Sequence, residues 1–129
     1  MSIVLRSLLL PLLLLGLTGC LSSRPALLPA SEGVEALRGG LVGQSSRVDL
    51  PEAALRQALE AEYQALQFGR VGVPTAWEAD GYRGEVIPTQ LYRIGSQDCR
   101  GYTHRVSGRS GSAQEVGSAC RSGALWTPV

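Results

Sequence analysis

Few residues in this chain can do chemistry, and their spacing narrows what that chemistry is. Among 129 residues there are three cysteines and one histidine. Cys99 and Cys120 are each followed by an arginine, Arg100 and Arg121, and His104 lies between the two pairs. Two thiols and an imidazole are zinc ligands, yet structural zinc takes four and no fourth ligand is apparent. Redox cysteines usually sit as C-x-x-C, and these do not. No serine or cysteine has an evident base beside it to make it a nucleophile. Glu78 and Asp80 could be imagined as a carboxylate pair for hydrolysis, but they flank a turn signal, where acids are ordinary solvated residues. These residues predict no catalytic centre, no metal site and no cofactor. Arg100 and Arg121 remain as candidate ligand contacts. Together they could form an anion site for lipid phosphate or a cell-wall carboxylate; alternatively they are solvated or paired with Glu85 and Glu115.

The third cysteine poses a different chemistry. Met1 to Ser7 carries one arginine, Leu8 to Leu15 is apolar with a break at Pro11, and Gly16 to Gly19 is rich in small residues. That is the layout of an export signal. The apolar stretch is about ten residues, short of the roughly 20 that span a bilayer as a helix. Leu17-Thr18-Gly19-Cys20 resembles the lipobox of bacterial lipoproteins, in which the cysteine thiol takes a diacylglycerol before cleavage. The resemblance implies a signal peptide over residues 1–19 and lipidation at Cys20. One acyl chain binds a membrane marginally, whereas two or three anchor stably. Leu21, not Asp, follows the cysteine, which by the enteric sorting rule implies the outer membrane.

Elements must hold these residues in place. Residues 20–48 read as a lipidated N-terminus and flexible tether of Ser, Pro, Gly and Ala without lasting period. Gly39 to Gly43 reads as a flexible loop within it. The globular domain is expected over 49–129. Asp49 and Glu52 have capping-box spacing with Pro51 near the first turn. Leu55, Leu59, Tyr63 and Leu66 then form one apolar stripe of a helix that packs on its own sheet, and Gly69 is a stop.

Beyond Gly72 the texture changes to short segments rich in Val, Tyr, Trp and Thr. Strands are expected near Thr75–Glu78, Gly84–Ile94, Cys99–Ser107, Ala113–Arg121 and Ala124–Pro128. Ala79-Asp80-Gly81 and Ser107 to Gly111 read as hairpin turns. The fold class is therefore α+β: a helix on a small antiparallel sheet of four to five strands. In the third strand Tyr102, His104 and Val106 share one face, and Cys99, Gly101, Thr103 and Arg105 the other. His104 reads as a packed or half-exposed structural residue. Cys99 and Cys120 lie at the ends of adjacent strands, and export places them in an oxidising compartment, so a disulfide is expected.

A resemblance rests on these residues. Ala58-Leu59-Glu60, Trp77, Gly81, Gly84-x-Val86-x-Pro88 and Tyr92 open the pattern. Cys99-Arg100-x-Tyr102, Gly117-x-Ala119-Cys120-Arg121 and Gly123-x-x-Trp126 complete it. Ala58 to Trp126 thus resembles the C-terminal domain of the rickettsial 17-kilodalton surface antigen family of outer-membrane lipoproteins. Two departures stand out. Family members often carry a glycine zipper before the domain, where this chain has only Gly39 to Gly43. The tight Asp-Gly turn expected before the last tryptophan is Ser122-Gly123-Ala124-Leu125 here.

All basic residues are arginine, and 12 of them against 11 acids leave a net charge of +1, with no basic field for nucleic acid. The expectation is a structural or accessory envelope lipoprotein that is not an enzyme. It would reach the membrane through its N-terminal lipid, with envelope proteins or cell-wall components as partners. The alternative is a small binding module that recognises an envelope ligand or partner protein through an exposed sheet face.

Overall fold

Four short turns, each with its own residue chemistry, fold the C-terminal half of the chain into a meander. The computed structural model describes residues 30–45 and 47–129. The segment expected as a signal peptide, the expected lipidation site Cys20 and the first part of the expected tether lie outside the described residues. Strands β1 (Thr75–Ala79), β2 (Tyr82–Ile94), β3 (Gln97–Gly108), β4 (Gly111–Ser122) and β5 (Leu125–Pro128) pair antiparallel in chain order. At the first turn Asp80 and Gly81 have φ of 51° and 77°. Two left-handed residues in a two-residue loop make a type I′ turn, whose twist matches the flanking strands. Gly95 and Gly123, both at φ 60°, open the two-residue loops before β3 and β5, where only glycine takes that conformation without strain. The strand bounds expected from alternation agree with these to within two residues.

Register fixes which side chains share a face. Gly84 pairs with Val106 and Val86 with His104, while Val106 pairs with Ala113 and His104 with Glu115. The face carrying Trp77, Val86, Tyr102, His104 and Val106 is buried. Across it lies a helix, α2 (Glu52–Phe68), that buries Leu59, Glu62, Tyr63, Leu66 and several alanines. The expected stripe is present, with Leu55 half-buried at its edge. Burying each Leu or aromatic side chain of this kind contributes about 1.5–3 kcal/mol.

The start of α2 differs from expectation. Pro51 occupies the N-cap and no side chain caps it. The Asp49–Glu52 box does not form, because the Glu52 carboxylate is drawn instead to Arg38 at 2.9 Å, while Asp49 is exposed. Arg38 bonds Glu35 as well, at 2.8 Å. At the other end α2 stops where expected: the Gly69 N–H donates to the Ala65 carbonyl at 3.0 Å, and a ψ of 149° turns the chain to an extended course.

The larger correction concerns residues 30–48, expected as flexible tether. They form a short helix, α1 (Ala30–Glu35), followed by successive turns. Leu37, Val42 and Val48 are buried in the same core as α2. The reason is coverage: α2 lies over β1 to β3, and the buried face of β4 and β5 needs another lid. Gly39 to Gly43 is part of that lid and not a loose loop. A Cβ at Gly40 would lie 2.8 Å from Pro128 Cγ, and one at Gly117 would lie 2.6 Å from Leu41. Packing in the described chain is therefore under way by Val34, well before residue 49.

Candidate functional site

The chemically capable residues fall on both faces of β3. Cys99 and Cys120 are direct partners in the β3–β4 register and are bonded, with Cα atoms 3.9 Å apart. The expected disulfide is present, and both sulfurs are buried. The thiols are spent on each other, and His104 lies on the opposite face of the sheet. No zinc set can form from these three residues.

Arg100 projects away from the disulfide, as its position in the strand requires, but that face is covered. It is 5% exposed. Its Nη1–H groups donate to the carbonyls of Ala65 and Leu66 at 3.3 and 3.1 Å, and Nε–H donates to Thr89 at 2.9 Å. The last turn of a helix leaves carbonyls without intrahelical donors, and a cation there also meets the negative end of the helix dipole. Arg100 thus ties the end of α2 to β2, its Nε–H and Nη1–H groups held by backbone carbonyls and not by Glu85 or Glu115. Burial lowers its pKa from the ordinary value, yet guanidinium stays charged in proteins. Arg100→Ala is expected to lower stability by about 2–3 kcal/mol, since it strands buried carbonyls bonded to a charged donor. Urea denaturation checks this through a lower midpoint at unchanged slope.

Arg121 does not join Arg100 in a shared anion site. It is half-buried over the Trp126 ring, 5.5 Å from the centroid, and reaches Asp98 at 3.3 Å. The partners weighed from sequence were Glu85 and Glu115. Register gives Glu85 to Arg105 at 2.9 Å and leaves Glu115 beside Ser45 and Arg47. Arg93 and then Arg121 hold the Asp98 carboxyl below the usual range.

His104 is the centre of a buried polar group that the sequence reading did not assemble. It is 1% exposed. Trp77 Nε1–H donates to His104 Nε2 at 2.8 Å, and His104 Nδ1 lies 2.7 Å from Glu62 Oε1. Indole nitrogen can only donate, so Nε2 must carry a lone pair and the ring must be neutral with its proton on Nδ1. The Nδ1–H then donates to Glu62. The contact has the distance of an ion pair, but the tryptophan excludes the imidazolium it would require. Burial pushes the Glu62 carboxyl well above its ordinary value, with the His104 hydrogen bond opposing. Among the described residues Glu62 Oε2 and Tyr102 Oη are buried without a hydrogen bond of full geometry, and the backbone N–H groups of Val42 and Leu41 are weak donors to the two side chains. Burial, and then the nearby Glu62, push the Tyr102 phenol up. Glu62 escaped notice in the sequence although a signal was there. It falls three residues after Leu59 and four before Leu66, inside the apolar stripe.

Glu78 and Asp80 are both exposed, on β1 and in the first turn. The disulfide face of the sheet carries an open cleft of about 720 Å³ over rows Ala76–Glu85–Arg105–Gln114 and Glu78–Arg83–Ser107–Ser112. Within it Arg105 bonds both Glu85 and Gln114. No family profile, curated protein or solved structure matches the chain.

Proposed function

We propose that the chain is a lipid-anchored lipoprotein of the outer membrane, of the surface-antigen type, whose domain has a structural or accessory role and no catalytic one. The observation that carries this reading is Leu17-Thr18-Gly19-Cys20 at the end of an export-type apolar run. The domain is consistent with it in how its reactive groups are used. The cysteines are bonded, and the only histidine is locked between Trp77 and Glu62. Arg100 fastens a helix end. These groups build a small rigid unit suited to life outside the cytoplasm, where a disulfide persists.

Cys20→Ser is expected to abolish acylation and shift the protein from the membrane to the soluble fraction. Metabolic palmitate labelling and membrane fractionation read this directly. Labelling unchanged in the variant sinks the lipoprotein reading.

The second reading, a binding module, is favoured by the cleft over Arg83 and Arg105 on the sheet face that α2 leaves open. An envelope ligand or partner held there would be released by reversing its charges. Affinity capture from envelope extracts with the full chain and with Arg83→Glu distinguishes the two readings.

A further inference from the structure

We propose that the tip of the β2–β3 hairpin, with the loop after α2, is a lipid-contacting surface that dips into the headgroup region of a phospholipid bilayer. Among the described residues eight large hydrophobics are exposed, and six of them lie in two short segments. Phe68 ends α2 and Val71 and Val73 follow it, at 63%, 56% and 44% exposure. Leu91, Tyr92 and Ile94 form the hairpin arm, at 57%, 42% and 60%. The fold brings the two segments together. Gly72 N–H donates to the Pro88 carbonyl at 2.9 Å, and Arg100 clasps Leu66 and Thr89 at once. Apolar exposure this concentrated marks a contact site, whereas scattered surface hydrophobics are ordinary.

Three features select lipid as the occupant. The first is shape. Leu91 pairs with Arg100 and lies on the face covered by α2 elsewhere, while Tyr92 pairs with Cys99 and lies, with Ile94, on the opposite face. The arm is apolar on both sides. A rigid partner docked on one face leaves the other in water, whereas a fluid interface buries both. The second is charge. Residues 67–74 and 89–97 contain two arginines, Arg70 and Arg93, and no acid. Asp98 at the base of the arm is shared by Arg93 at 3.0 Å and Arg121 at 3.3 Å. One carboxylate between two guanidinium groups leaves a net positive charge facing anionic phosphates, to which arginine bonds bidentately. The third is the residue mix. Tyr beside aliphatic residues and arginine suits the headgroup boundary, where rings lie amphipathically and long cations reach the phosphates. Insertion of about 5–10 Å, typical of interfacial elements, would bury the arm.

The competing occupant is a second copy of the chain. β1 pairs with β2 only as far as Val86 and Gly72 takes the Pro88 carbonyl, so the outer edge of β2 past Thr89 is open to another strand. One experiment separates the two. Full-length Tyr92→Trp protein is mixed with phosphatidylethanolamine–phosphatidylglycerol vesicles whose acyl chains are brominated just below the headgroup. Trp77 and Trp126 are core residues and give a constant background. The new indole is expected to shift to the blue and be quenched only with vesicles. Adding Leu91→Ser and Ile94→Ser should abolish the quenching while circular dichroism shows the fold intact. Co-sedimentation reads the anchor at Cys20 and quenching reads the arm, so the two ideas fail separately. Full-length protein that sediments with vesicles but leaves the indole unquenched overturns the proposal. A blue shift that grows with protein concentration without vesicles overturns it in favour of a second copy.

Discussion

Cys99→Ala, Cys120→Ala is expected to fold to the same structure and to be less stable by about 3 kcal/mol, the chain-entropy value for a loop of this size. The bridge spans 21 residues of sequence and joins partners that the β3–β4 ladder already places side by side. Removing it therefore costs the folded state few contacts. It frees the unfolded chain instead. A domain of about 100 residues has on the order of 5–15 kcal/mol of stability in all, so the loss is a large share. At roughly 4–8 °C per kcal/mol for a domain of this size, the melting temperature should fall by about 12–24 °C. Thermal unfolding of the double variant, and of the parent under reduction, should give the same shift. Equal melting temperatures for oxidised parent and double variant would show that the bridge contributes nothing to stability.

The same hairpin shows what the sequence makes legible. Alternation across β3 placed Tyr102, His104 and Val106 on one face and the cysteines on the other, because a strand's period of two is local. Two of the four turns are readable for the same reason: Asp80-Gly81 and the glycines of Ser107 to Gly111 carry conformational demands within single residues. Residues 30–48 were not readable. Leu37, Val42 and Val48 are separated by five and six positions in a stretch of Gly, Ser and Arg, which matches neither helix nor strand. Their burial is dictated by a sheet face more than sixty residues downstream. Arg100 failed in a related way. Its direction from the strand was right, but nothing local says that the end of a helix arrives above it. Glu62 is the intermediate case. Helical spacing put it inside the apolar stripe, and its partners on β1 and β3 could not be inferred from the helix.

That buried group carries the largest effect expected from a single side chain. From sequence, His104 reads as a packed structural residue, ranking below the disulfide in consequence. The geometry reverses the ranking. His104→Ala would strand the Trp77 N–H and the Glu62 carboxyl in the core and leave a cavity besides. Each buried polar group left unpaired costs about 1–3 kcal/mol, and the cavity adds to that, so little of the domain should remain folded at moderate temperature. Glu62→Gln is the informative companion, since its amide oxygen can still accept the Nδ1–H while the side chain no longer titrates. The sign of its effect follows from burial. The Glu62 pKa is raised above its ordinary 4.5 in the folded state, so the native protein keeps a proton that the unfolded chain releases. Its contribution to stability is fully present below the ordinary value and declines as pH rises through the raised one. Asp98, held low by its arginines, contributes in the opposite direction, and subtracting parent from variant cancels it. The stability of Glu62→Gln minus that of the parent should therefore grow from about pH 4 upward and level off once the folded-state carboxyl has ionised. Chemical denaturation across that range measures it. A difference that stays flat, or shrinks as pH rises, would mean that the carboxyl titrates as an ordinary surface acid does, and the neutral Trp77–His104–Glu62 arrangement would have to be abandoned.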